Sequence, residues 1–247
     1  MPFEAIDWAL AVCLLIGAAL YSSVGHAGAS AYIALMALFG LPAAVMRPTA
    51  LVLNVIVASF ASFRFWRAGM FRWRTLWPFL IGAMPFAFLG GGIKLPGDFY
   101  RPMVGGILFL SAIRLLWPTP IKALEAWRDP PIWLAILLGM GIGLLSGLTG
   151  TGGGIFLSPL LLFLAWSAPK PASGVAAIFI LCNSISGLLG NFSAIGSLPP
   201  ALPLFGGAVL IGGLIGTTLG VRLSAPIILK ALGVVLLVAS AKLVGVY

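Results

Sequence analysis

Two short stretches concentrate the groups of this chain that could hold a ligand. The first reads Ser22-Ser23-Val24-Gly25-His26-Ala27-Gly28-Ala29-Ser30 and the second Thr149-Gly150-Thr151-Gly152-Gly153-Gly154. Each interrupts an apolar run, and each is followed by a shorter apolar arm, at 30–40 and 155–166. An arm that restarts as a helix presents unpaired N–H groups and a partial positive charge at its first turn, which is anion-binding chemistry. Glycine lets the backbone turn sharply and approach a ligand closely, and the hydroxyls add donors. The candidate binding residues are therefore Ser22, Ser23, Gly25, His26, Gly28 and Ser30 in the first stretch. In the second they are Thr149, Thr151, Gly152, Gly153 and Gly154. Asn54 and Asn183 join them as polar amides in apolar runs, placed either to line the same cavity or to bridge helices. His26 is the only histidine. It can hold a charged ligand or carry a proton, or sit as a neutral ring bonded within its own turn.

Other chemistries fit less well. Ser22, Ser23 and His26 lie close enough in sequence to suggest a nucleophile and base, but no acid sits nearby to orient the histidine, so an intramembrane serine hydrolase is not expected. Cys13 and Cys182 have neither a metal-ligand spacing nor support for a disulfide, and no metal or other cofactor is expected. The five acids are Glu4, Asp7, Asp98, Glu125 and Asp129, and none lies within an apolar run. Sites that pass cations or pump protons usually keep a carboxylate in the membrane, so a cation ligand is disfavoured.

The elements that must position these groups are membrane helices. Of 247 residues, 61% are hydrophobic and only 8% charged, which leaves too little polar skin for a soluble fold. The apolar runs are continuous and do not alternate, which excludes a barrel. The net charge of +9 resides in short connections, a membrane-protein pattern and not a nucleic-acid one. The amino terminus carries Glu4 and Asp7 without Lys or Arg, so the first run reads as a retained helix and not a secretory signal. Helices are predicted over 5–21, 48–65, 75–93, 101–117, 131–147, 172–193, 200–220 and 226–244, besides the two arms. At about 1.5 Å per residue each arm reaches ~17 Å, little more than half of a ~30 Å hydrocarbon core, so its first turn belongs near the midplane.

The pattern restarts after a polar connection, giving a first membrane repeat over 1–117, a cytoplasmic linker over 118–130 and a second repeat over 131–247. A shift of about 125 residues sets Gly25 on Gly150, Gly28 on Gly153, Pro78 on Pro203, Gly82 on Gly207 and Gly91 on Gly216. The loop holding Arg64, Arg67, Arg72 and Arg74 has an uncharged counterpart over 194–200, a contrast expected if the second repeat is inverted. The fold expected is an all-α polytopic membrane protein of two inverted repeats, each a broken helical hairpin plus three transmembrane helices. Both termini then lie outside, with ten of the 14 basic residues inside and Arg47, Lys94, Arg101 and Lys242 outside. Arg47 and Lys170 flank the arms and read as interfacial anchors, with guidance of anions inward as the lesser alternative.

The residues from Gly143 through Gly147-Leu148-Thr149-Gly150-Thr151-Gly152-Gly153-Gly154 to Ser158-Pro159-Leu160-Leu161 resemble the signature of the sulfite exporter TauE/SafE family. That pattern has a Gly-Leu-hydrophobic-Ser-Gly turn, a Gly-x-Gly-Gly-Gly element and an apolar arm with Pro. The stretch 176–191, with Asn183-Ser184-Ile185-Ser186-Gly187, is similar to the family's next helix. The resemblance implies an inner-membrane permease for sulfite, sulfonates or related organic acids, with Thr149, Thr151, Gly152, Gly153 and Gly154 touching the substrate. The first half departs from the pattern, with Gly25-His26-Ala27-Gly28-Ala29 in place of the glycine element. The expected partners are a small anion and the lipid bilayer. Protons as the coupling ion, a homo-oligomeric state, the direction of movement and a passive channel in place of a carrier all stay open.

Overall fold

In a computed structural model, residues 3–23, 27–116, 128–219 and 226–245 are described. The helices are α1 (Ala5–Ser23), α2 (Ala29–Leu38), α3 (Ala43–Arg67), α4 (Trp73–Gly92), α5 (Gly97–Leu116), α6 (Ile132–Thr149), α7 (Gly154–Phe163), α8 (Pro169–Gly190), α9 (Leu202–Leu219) and α10 (Pro226–Val244). A single 3-10 helix, Phe192–Ser197, follows α8 in a stretch expected to be loop. There is no strand among the described residues. Five helices (α1, α3, α4, α6 and α8) are long and apolar enough to cross a membrane. Large apolar side chains such as Trp8, Ile81, Phe109 and Trp133 face outward, as lipid-facing helices require.

Small residues let the helix backbones approach. A Cβ on Gly82 would lie 2.2 Å from Ile136 O, on Gly143 2.1 Å from Ala83 O, and on Gly147 2.2 Å from Ala87 O. These contacts run in the same order along both helices, so α4 and α6 are parallel. Gly212 meets Leu15 and Gly216 meets Ala19 in the same way, so α1 and α9 are parallel too. Helices in lipid associate through such close packing, because apolar burial alone does not distinguish a helix neighbour from lipid. In both contacts the helix before a break packs on a glycine-bearing helix distant in sequence or across the linker.

α3 and α8 cross at the centre and run in opposite directions. Asn54 Nδ2 donates to Ser184 Oγ at 3.3 Å. A Cβ on Gly187 would lie 3.7 Å from Leu51, and one on Gly174 would lie 3.5 Å from Phe65. Residues rising along α3 thus meet residues falling along α8.

The start of α3 differs from expectation. Pro48 suggested a helix beginning there, but α3 begins at Ala43 and carries Pro48 inside it. Without a proline N–H, the carbonyl four residues back is released, and Ala44 O accepts a long 3.5 Å bond from Ser197 Oγ instead. Arg47 is therefore a helix residue, and it is buried at 6% exposure. It is not an interfacial anchor. Its Nη1 donates to Ile93 O at 2.9 Å and its Nη2 to Gly90 O at 2.6 Å. Those are carbonyls left open at the end of α4, where a cation also complements the helix dipole. The side chains of Lys170 and Arg114 lie outside the described residues.

Candidate functional site

Both breaks reverse the chain. In the first, Gly17 of α1 faces Ala31 and Leu35 of α2, and Tyr21 faces Ser30. In the second, Arg128 N donates to Ala165 O at 3.2 Å, so the approach to α6 and the end of α7 lie together. Each arm has ten helical residues. That is ~15 Å, about half the hydrocarbon core.

Glycines in left-handed geometry set both helix starts. Gly28 precedes α2 with φ 100°, and Gly153 precedes α7 with φ 78°. Gly150 and Gly152 add φ values of 85° and 73°. This conformation costs an L-residue about 1–2 kcal/mol, which is why Gly150, Gly152 and Gly153 are local necessities and not packing filler. Neither helix start has a side-chain cap.

The two starts open on one small buried cavity of about 10 Å³, room for about one water molecule. It is lined by Gly28, Ala29 and Ser30 from the first break, Thr151 and Ile155 from the second, and Tyr21, Asn54 and Ile180 around them. Asn54 is fully buried at the middle of α3. Its Nδ2 reaches Ser184, while its Oδ1 has no hydrogen-bond partner among the described residues. An unpaired buried amide oxygen costs about 1–3 kcal/mol, so this atom has capacity for a water or a ligand proton.

The remaining predicted residues take different places. Gly152 lies against α3 and α8, where a Cβ would meet Asn54 Nδ2 at 2.7 Å and Ser184 Oγ at 3.1 Å. Gly153 lies beside Phe179 and Asn183. Asn183 is fully buried, and neither its oxygen nor its nitrogen has a partner among the described residues. Gly154 packs on Ile180, with 2.3 Å between a would-be Cβ and Ile180 Cδ1. The Thr149 hydroxyl bonds back to Leu145 O at 2.7 Å and contacts the Thr151 hydroxyl at 3.0 Å. Ser30 Oγ lies 2.6 Å from the Tyr21 hydroxyl. Ser22 is buried beside Gly213 of α9, and Ser23 bonds back to Leu20 O at 2.7 Å, so neither lines the cavity. Gly25 and His26 lie outside the described residues.

Residues not singled out from the sequence complete the surroundings. The Tyr32 hydroxyl donates to Ala27 O within the first break. Tyr100 of α5 reaches the second, its hydroxyl donating to Thr149 O at 3.0 Å. Tyr21 stands next to Ser22 and Tyr32 two residues after Ser30, a signal available in the sequence. Tyr100 gives no such local signal, because its partner is 49 residues away.

With the two breaks on one buried cavity, the comparison with known proteins can be read against the geometry. The family model described as sulfite exporter TauE/SafE matches residues 9–243. The chain belongs to that family. A probable membrane transporter protein of Sinorhizobium fredii, y4hK, is 39% identical over 98% of this chain and 99% of its own length. A probable membrane transporter protein of Bacillus subtilis, YjnA, is 26% identical over 94% of this chain and 96% of its own. No solved structure matches the chain. This member of the TauE/SafE family is thus a membrane protein of a transporter family, and the family's match spans both breaks and the α3–α8 crossing.

Proposed function

We propose that this protein carries small oxyanions (sulfite, a sulfonate or a related organic acid) across the inner membrane by alternating access, with the site between its two breaks. The observation that carries the reading is the shared cavity. Two uncapped helix starts, set by left-handed Gly28 and Gly153, adjoin it together with the unpaired amide oxygen of Asn54. Helix starts attract negative charge from both sides. Asn54 can accept from a protonated oxyanion or hold a water that does so. At about 10 Å³ the cavity is too small for sulfite, so this conformation is a closed one, and binding requires the arms to separate.

The halves 1–117 and 131–247 are read as inverted repeats, with 118–130 as the linker. The opposed directions of α3 and α8 support inversion, and so does the exchange of packing partners between α1–α9 and α6–α4. Placing both termini outside puts the arginine-rich end of α3 in the cytoplasm. Rocking of one half against the other around a fixed midplane site is the motion such an architecture allows.

The test is sulfite or methanesulfonate flux into proteoliposomes, with binding followed by thermal shift of the purified protein. Thr151→Val removes one hydroxyl from the cavity wall. The half-saturating concentration should rise about tenfold, the worth of one hydrogen bond to a charged ligand. Saturable flux that is indifferent to Thr151→Val and to Asn54→Leu would move the site elsewhere. Single-channel currents in place of saturable exchange would replace the carrier by a pore.

A further inference from the structure

A second cavity, unlike the first, is large and lined by charged side chains. It occupies about 450 Å³ and is lined by the start of α3, the α4–α5 connection, the start of α5 and the 3-10 helix. Arg47, Lys94 and Arg101 all contribute to its wall, and no acidic residue does. Lys94 and Arg101 are exposed at its rim, while Arg47 and Tyr100 are buried at its base. Asp98 stands on the first turn of α5 but does not line the cavity.

The base of this cavity is the back of the second break. The Tyr100 hydroxyl donates to Thr149 O at 3.0 Å. A Cβ on Gly150 would lie 3.0 Å from Arg47 O and 3.2 Å from Arg47 Cγ. The next residue, Thr151, lines the small buried cavity. One layer of backbone, held by Arg47 and Tyr100, therefore separates the large basic chamber from the small buried cavity. Arg47 spends its guanidinium on the α4 carbonyls, yet its Nε has no partner among the described residues.

We propose that this chamber is an anion-collecting vestibule, in which Lys94 and Arg101 concentrate small sulfonate- or carboxylate-bearing ions above the second break and Arg47 marks its floor. The proposal rests on the anion-carrier reading and adds to it an entry side and a route. Charged groups of one sign around a cleft with low-dielectric walls raise the local concentration of counter-ions and their rate of encounter, in a salt-dependent way. The same cations could instead bind the headgroup of an anionic lipid. A soluble ion is favoured because the base of the chamber touches the break and not only the lipid boundary.

The test uses a reporter thiol at Ala44, an exposed wall residue, in a background of Cys13→Ser and Cys182→Ser. Purified Ala44→Cys protein is treated with a sulfonate-bearing methanethiosulfonate reagent and with its trimethylammonium counterpart, each rate being divided by that reagent's rate on free cysteine. The sulfonate reagent should be favoured about tenfold at low salt, and the preference should shrink toward unity at about 0.5 M salt. Adding Lys94→Gln and Arg101→Gln should abolish it. Equal rates, or a preference that survives both substitutions, overturns the proposal. Repeating the measurement in neutral and in phosphatidylglycerol-containing liposomes separates the two sources: a preference seen in neutral liposomes but lost when anionic lipid is present assigns the cations to a lipid headgroup and overturns a free vestibule. In flux assays the double substitution should raise the half-saturating methanesulfonate concentration at low salt and leave the maximal rate in place. Absence of any flux in the unsubstituted protein would defeat the carrier reading, while the reagent rates would still decide whether the chamber gathers anions.

Discussion

The two breaks solve one backbone problem with different chemistry. In the first, tyrosine hydroxyls hold the turn: Tyr21 pairs with Ser30 and Tyr32 donates to Ala27 O, with Gly28 alone in left-handed geometry among the described residues. In the second, Gly150, Gly152 and Gly153 are all left-handed, and the partners come from other helices, Arg47 on α3, Tyr100 on α5, and the Asn54–Ser184 pair across α3 and α8. The first break is largely self-supporting. The second is a junction, whose shape depends on three neighbouring helices, α3, α5 and α8. A substrate that parts the arms would disturb more of the protein at the second break than at the first.

That contrast is broken or sharpened most strongly at the glycines. Gly152→Ala places a Cβ 2.7 Å from Asn54 Nδ2 and 2.9 Å from Ile180 Cγ2, at φ 73°. The expected cost is about 1–2 kcal/mol of backbone strain and about 1–3 kcal/mol of overpacking. Flux should be lost, and the thermal midpoint of the purified protein should fall. Gly28→Ala places its Cβ nearest the side chain of Tyr32, 2.9 Å from the ring and from its hydroxyl. Its packing cost should therefore be relieved in part by Tyr32→Leu, whereas no single truncation should rescue Gly152→Ala. Equal rescue at both positions would refute the distinction.

Next in size are the helix crossings. Gly143→Ala drives a Cβ to 2.1 Å from Ala83 O, and Gly216→Ala to 2.1 Å from Ala19 O. Backbone cannot step aside as a side-chain tip can, so each should cost about 1–3 kcal/mol. If the α4–α6 and α1–α9 contacts are counterparts, the two midpoints should fall alike. A large drop in one and none in the other would show that the crossings carry different loads.

Much of this was legible in the sequence because it depends on local pattern. Apolar run length set the helices, and the glycine clusters marked both breaks, since no other residue holds φ values near 70–100° at so little cost. Asn54 stood out as an amide in an apolar run, and it lines the cavity. Arg47 was misplaced because Pro48 is a good helix start, and only the tertiary packing of Ala43 to Met46 extends α3 beyond it. The charged chamber was invisible for a related reason. Its cations lie on separate elements, and nothing in their spacing tells that α3 and α5 begin side by side. Ser22 and Ser23 stand at the end of α1 without lining the cavity, because a hydroxyl at a helix end can equally turn back to its own carbonyls, as Ser23 does.

The smallest effects separate the breaks most cleanly. Tyr21→Phe removes the 2.6 Å contact with Ser30, and Tyr100→Phe removes the 3.0 Å bond to Thr149 O. Each should cost about 0.5–1.5 kcal/mol, too little to unfold the protein. Hydrogen–deuterium exchange of peptides then reads where the loss falls. Tyr21→Phe should speed exchange around Ser30 and leave the amides near Gly152 protected, since its bond lies within one hairpin. Tyr100→Phe should speed exchange around Thr151 and also at the start of α5, since its bond joins the two. Loosening of both breaks by either substitution would mean that the small cavity between them couples them tightly enough to open as one unit. The arms would then part together, and the contrast between a self-supporting break and a junction would describe their bonding but not their motion.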